Sequence, residues 1–370
     1  MSPSRVSRLE TGKITPRPKD IALLSRALGV PPSFFARQTM DLGPVAFRKQ
    51  ARLTGRERDR ILARTQDYIE RRDEVTQLLT LPQTTPEPYP YPVATYDEVE
   101  KAAVWVRERW QLGRNPIHSV VDELEQRNIS VLRISVDERF DGLSSLPTNP
   151  LDFIVFNGRR SVDRQRFTLL HELGHLLLNT TVDDKLSERF MDRFAGALAV
   201  PRETLIDRLG AHRSRLHPTE LIGLKEDFGL SIAALLYRAK DCGIITEYTH
   251  RQGMITIGRL GWRTEEPAGF KGKEQPRRLR ELIARALAEG LIDQAKADEL
   301  YGEPFVPAGL FPPGPEAIRR AEQAWRRTER TMLLEDQSVE YTAEERGQRI
   351  KSLARDIQAR MNEQRRINAD

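Results

Sequence analysis

Two histidines four residues apart, with a glutamate beside the first, are the residues of this chain best suited to chemistry: His171-Glu172-Leu173-Gly174-His175. On a helix, positions i and i+4 share one face. Two imidazoles there can hold one zinc ion from the same side. Glu172 is displaced around the helix and can reach a metal-bound water as general base without being a ligand. Leu169, Leu170, Leu173 and the three leucines at 176–178 flank the motif and predict a mostly buried helix. Two histidines and a glutamate are costly in such a place unless satisfied. A metal satisfies them most simply; the competing expectation is a helix with two hydrogen-bonded histidines.

A catalytic zinc needs a third protein ligand and an open position. The acidic candidates downstream are Asp183, Asp184, Glu188 and Asp192. The first two lie in a polar stretch, 179–185, that reads as a loop. Glu188 starts a helical pattern in which Met191, Phe194, Ala195, Leu198 and Pro201 recur at helical spacing. It lies near that inward face, so a helix crossing the first would bring its carboxylate to the metal. Asp192, one turn on, suits a different role, holding His171 or His175 through the far ring nitrogen. One zinc per chain is expected, lowering the pKa of its water toward ~7 for attack on a peptide carbonyl, with Glu172 taking the proton.

The run from Thr168 to His175, followed by Glu188-x-x-Met191-x-x-Phe194-Ala195-x-x-Leu198-x-x-Pro201, resembles the ImmA/IrrE family of zinc metallopeptidases. The family pattern after the zinc helix is E-x-x-A-x-x-F-A-x-x-L-x-x-P, and Met191 stands where alanine is usual. Arg166-Phe167 and Asn157 are also similar. The resemblance implies Glu188 as third ligand and a gluzincin-like peptidase. Residues 2–13 resemble the recognition helix and following turn of an Xre/Cro-type helix-turn-helix, and 20–35 its last helices. That implies DNA contacts from Ser4, Arg5, Ser7, Arg8 and Lys13, at base edges or phosphates. On this reading the chain starts at about the recognition helix. Either the domain is truncated or the start site is misplaced. Residues 224–240 are similar to the helices that follow the peptidase core in such proteins. The resemblance spans roughly residues 2–267. It implies an endopeptidase that cleaves a regulatory protein, such as a transcriptional repressor, in stress, mobile-element or defence regulation. The alternative is a transcription regulator whose zinc site is structural or sensory.

The elements that must position these residues follow from periodicity and breakers. Helical patterns cover 2–11 and 19–28, with a short third helix opened by Pro31-Pro32, and then a charge-rich helix over 54–79. Five prolines in residues 81–92 exclude a helix and predict a semi-rigid linker. A helix with Trp105 and Trp110 as core residues restarts at 96, and a second follows near 116–126. Residues 129–136 and 153–156 read as strands, with Asp141-Gly142 in the loop between them. The second strand is expected to offer an edge to an extended peptide. Residues 164–238 read as helices. His212 and His217 read as loop histidines, Tyr237 as helix packing, and Ser231 as a helix cap.

The fold class expected is α+β: a mostly helical domain at 1–80, a linker at 81–95, a zincin-like peptidase domain at 96–267 with a small sheet and the zinc helix, and a helical tail at 268–370. The tail's charged helices could mediate self-association, leaving a homo-oligomer open. Residues 1–80 hold 16 Lys/Arg against 9 Asp/Glu, a net of +7 in a chain whose total is +5. That concentration of positive charge suits nucleic acid. A single cysteine, Cys242, excludes an internal disulfide framework. No apolar run reaches the ~18–20 residues of a membrane span, and the polar, basic N-terminus does not read as a signal peptide. The expected location is therefore cytoplasmic.

Overall fold

The first helix, α1 (Pro3–Glu10), begins where the Ser2 side chain accepts the Arg5 amide. It is followed by α2 (Pro18–Leu28). The computed structural model describes residues 1–28, 32, 35, 41–43, 45–47, 53–81, 91–146 and 151–306. The short helix expected after Pro31 falls largely outside these, as do residues 82–90 of the proline-rich stretch and 307–370 of the tail. Next come strand β1 (Val45–Phe47) and the long helix α3 (Gly55–Leu78). Helix α3 opens with a capping box in which Thr54 and Glu57 satisfy each other's backbone amides.

The two residues after the described gap, Tyr91–Pro92, form strand β2, and a second capping box at Thr95 and Glu98 starts α4 (Tyr96–Arg109). Helix α5 (Val120–Gln126) is capped by Ser119. Three strands follow: β3 (Ser130–Ile134), β4 (Gly142–Ser145) and β5 (Phe153–Asn157). The sheet order is β1-β4-β5-β3. Strands β3 and β5 are parallel, β4 and β5 antiparallel, and β1 is antiparallel to β4 with Val45 opposite Ser145, Ala46 opposite Ser144 and Phe47 opposite Leu143. Two expectations change here. Gly142 belongs to a strand, not to a loop. Strand β5 lies inside the sheet with both edges paired, so it offers no edge to a peptide.

The zinc-motif helix α6 (Val162–Leu177) runs into strand β6 (Leu178–Asn179), which pairs in parallel with β2. Then come α7 (Asp184–Ala199), α8 (Arg202–Leu209), α9 (Pro218–Phe228), α10 (Ile232–Asp241) and α11 (Glu247–Arg259). The described chain ends with α12 (Arg278–Ala288) and α13 (Gln294–Tyr301).

The sheet is covered on both faces. Ile154 and Phe156 of β5 pack into a core built from α4, α5, α6, α7, α9 and α10. Phe153 and Val155, pointing the other way, pack with Ile61, Ile69 and Val75 of α3 and with Leu282 and Ile283 of α12. A sheet with two apolar faces must bury both, and α3 with α12 and α13 is what buries the second. Elements on either side of the proline-rich stretch thus pack against the same sheet, and Met1–Phe305 forms one compact unit. Charged groups tie the layers together. Arg166 of α6 is buried, stacks on Phe270 and pairs with Glu274, whose carboxylate also accepts the amides of Val120 and Val121 at the start of α5. Arg238 of α10 joins Val200 and Glu100. No helix among the described residues is long and apolar enough to cross a membrane.

Candidate metal centre

Helix α6 presents His171 and His175 one turn apart, as the spacing requires, and its leucines bury it against the sheet and α7. Helix α7 starts at Asp183, whose carboxylate accepts the amides of Lys185 and Leu186. The cap explains why Asp183 is not at the metal: its oxygens serve the helix end. One turn further, Glu188 faces α6.

The two helices approach closely because Gly174 lies at their crossing. A Cβ on Gly174 would come within 2.9 Å of the Met191 sulfur and 3.2 Å of a Phe194 ring carbon. Glycine thus admits the bulkier Met191 at the contact, and Met191 and Phe194 are both buried there.

One donor atom each from His171, His175 and Glu188 lies within 4.8 Å of the others. Glu188 Oε2 is 3.4 Å from His171 Nε2, and Oε1 is 3.5 Å from His175 Nε2. Two donors bound at about 2.1 Å to one tetrahedral ion are roughly 3.4 Å apart, so both separations suit zinc. His171 Nδ1 is 2.8 Å from the Asp192 carboxylate. A carboxylate only accepts, so the Nδ1 proton points at Asp192 and the Nε2 lone pair points at Glu188. A lone pair facing a carboxylate oxygen repels it unless positive charge lies between. Partial burial raises the Glu188 carboxyl, but positive charge and proton donation from the His171 and His175 side outweigh that and hold it well below the usual carboxylate range, so the carboxylate is stabilised by positive charge at this point. The donor set therefore fits a cation. Enclosure is graded: the His171 side chain is fully buried, that of His175 is 15% exposed and that of Glu188 is 38% exposed. The Glu188 side is open to a fourth ligand.

Glu172 is buried beside this cluster and outside it. Ser144 Oγ of β4 donates to Glu172 Oε2 at 3.1 Å. Gly142, two residues earlier on the same face of β4, lets the strand approach: a Cβ there would meet Thr168 Cγ2 at 2.6 Å and Glu172 Cγ at 3.2 Å. Neither Ser144 nor Gly142 was apparent from the sequence, because the short run Gly142-Leu-Ser-Ser145 has little β propensity.

The structure brings together His171, His175, Glu188 and Asp192, and sets Glu172, next to His171 in the chain, against Ser144 of β4. Ser4, Ser7, Arg8 and Lys13 are exposed on α1 and in the turn after it. Arg5 is half-buried and donates to Asp20 of α2 at 2.9 and 2.6 Å, joining the two helices. His217 caps α9 and Ser231 caps α10. Tyr237 is half-exposed and packs on the buried His250 ring at 4.3 Å. Trp110 is buried, and Trp105 packs on Tyr91.

Comparison with known families agrees with this geometry. Residues 124–240 match the Peptidase_M78 family, described as an IrrE N-terminal-like domain. Residues 1–35 match a helix-turn-helix family. The first match contains β3 to β5 and all five residues of the centre. No curated protein matches the chain.

Proposed function

We propose that this chain, in which a helix-turn-helix segment precedes an IrrE N-terminal-like peptidase domain, is a zinc-dependent endopeptidase that cleaves a regulatory protein such as a transcriptional repressor. One observation carries the reading: two imidazoles and a carboxylate converge on one point while a second carboxylate, Glu172, is held beside them by Ser144 and is not part of the set. A purely structural zinc site has four protein ligands and no use for a buried base. The solvent-facing side at Glu188 further supports a site that admits water and substrate.

His171, His175 and Glu188 would hold the ion. Zinc, when bound, supplies a Lewis acid for the carbonyl oxygen and a water of lowered pKa. Asp192 fixes the His171 ring by accepting its Nδ1 proton, which leaves Nε2 as the donor. Glu172 takes a proton from the attacking water at its carboxylate and returns it to the leaving amine. The Ser144 hydroxyl keeps that carboxylate oriented. Ser4, Ser7, Arg8 and Lys13 remain available to DNA, and the helix-turn-helix supports a regulatory setting in which the substrate is itself a regulator.

The test compares wild type with Glu172→Gln in the native host by mass spectrometry of protein N-termini. New termini that appear only with wild type, clustered in one regulatory protein, support the reading. Identical N-termini in the two strains under several stresses, with one zinc per chain in both proteins, would replace it with a DNA-binding regulator carrying a structural zinc.

A further inference from the structure

Strand β4 lies beside the general base, and its pairing has a consequence for substrate access. The residues of a strand alternate between faces, so Gly142 and Ser144 face α6 while Leu143 faces α3. An extended peptide that is to cross Glu172 and the His171–His175–Glu188 cluster can be held by main-chain pairing to the strand nearest the base, which is β4. One edge of β4 is taken by β5. The other is taken by β1, with Ala46 directly opposite the base-holding Ser144. A peptide added outside β1 would lie a further ~4.8 Å from the base, one strand spacing away.

We infer that Val45–Phe47 is an intramolecular occupant of the peptide-binding edge of β4, so that the peptidase is autoinhibited until this strand leaves. The inference rests on the peptidase reading above and adds its regulation. Two features suit the role. Strand β1 holds β4 through the described residues Val45–Phe47, so the ladder bonds of this segment are the ones an incoming peptide must replace. It also runs antiparallel to β4, so an extended peptide added in that sense would take over the same main-chain pairing. Its counterpart β5, which pairs with the other edge of β4, is buried on both faces and cannot be displaced without opening both cores.

The experiment uses the full zinc-loaded chain with two readouts. In the first, Val45→Cys is combined with Ser145→Cys, the pair being Cα partners across the ladder. Cys242 is buried, so the new thiols pair with each other. Cleavage of a mixture of quenched fluorescent decapeptides is measured before and after reduction. The oxidised form is expected to be at least tenfold slower than the reduced form; equal rates overturn the inference. The second readout needs no catalysis. A fluorescein-labelled synthetic peptide of residues 41–47 is titrated against wild type and against Val45→Gly/Phe47→Gly, with fluorescence anisotropy as the signal. Binding at least tenfold tighter to the variant is expected, and equal affinities overturn the inference. If no form cleaves any peptide while the labelled peptide still prefers the opened variant, the peptidase reading fails and occupation of the edge by β1 stands. If the double glycine variant does not fold, the disulfide pair alone decides.

Discussion

Helix α6 and helix α1 each carry the residues that define their end of the molecule, and they are held in opposite ways. Eleven of the sixteen residues of α6 are buried, including His171 and Glu172. None of the eight residues of α1 is. Around α6, side-chain positions are set by packing on both sides, from β4 below and α7 across. Between α1 and α2, orientation depends on one charged bracket, Arg5 to Asp20, with Val6 and Leu9 only half-covered. Site geometry built on packing tolerates little change in volume. A joint built on one ion pair between a half-exposed arginine and a buried aspartate tolerates volume change and is sensitive to charge. The difference can be broken from either side.

The largest effect is expected at the metal. Glu188→Ala removes the only carboxylate of the donor set, so zinc measured by mass spectrometry after dialysis should fall well below one per chain and cleavage should be lost. A full zinc complement in that variant would mean that Glu188 is not a ligand. Asp192→Asn keeps every ligand and weakens the acceptor that orients His171. Zinc affinity should drop about 10–100-fold, measured by competition with a chromophoric chelator, and an unchanged affinity would remove Asp192 from the centre.

Packing comes next. Gly174→Ala puts a methyl against the Met191 sulfur and the Phe194 ring. Overpacking of this kind costs about 1–3 kcal/mol, partly offset by the gain of about 0.5–1 kcal/mol in helix propensity on leaving glycine. Met191→Ala alone opens a cavity and costs about 2–5 kcal/mol. If the two side chains compete for one space, the double variant loses less than the sum of the two, by about 1 kcal/mol, in denaturant unfolding. Strict additivity would show that Gly174 is not what sets the crossing of α6 and α7.

The same contrast explains what could be read from the sequence. His171, Glu172 and His175 were legible because their spacing and the surrounding leucines are local signals. Glu188 and Asp192 were legible because the helix carrying them repeats its apolar residues every three or four positions. Strand β4 was not, since Gly142, Ser144 and Ser145 carry no strand signature and are placed by pairing with β5 and by the closeness of α6. Whether Phe153–Asn157 lies at an edge or in the middle is decided by β4, whose pairing covers the edge that β3 leaves. The membership of α3 was hidden for a related reason. The prolines at 82–92 mark a change of local conformation, but the apolar face of β5 that α3 covers is visible only once the sheet exists. The pairing of Arg5, read as a DNA contact, with Asp20 fifteen residues on was not legible either.

The smallest effect expected is at that bracket, and it concerns pH. The Arg5 guanidinium and the Arg17 amide hydrogen-bond the Asp20 carboxylate and hold its carboxyl well below the usual carboxylate range. A carboxylate with a depressed folded-state pKa stabilises the fold fully at pH values above its unfolded pKa of about 3.9 and loses that contribution as pH falls toward the folded value. The joint between α1 and α2 should therefore hold from neutral pH down to about pH 4 and loosen below it. The Arg17 amide, which donates to Asp20, is the reporter: its hydrogen exchange, corrected for intrinsic rate, should accelerate below pH 4 in wild type. In Asp20→Asn it should already be fast at pH 7 and show no such step, while amides in α6 stay protected in both proteins. Because the pair is partly open to water, salt should shift the wild-type step and leave α6 unaffected. An Arg17 amide equally protected in wild type and Asp20→Asn would mean that α1 and α2 are joined by their half-buried leucines and isoleucines, and that the two ends of the molecule do not differ in the way their burial suggests.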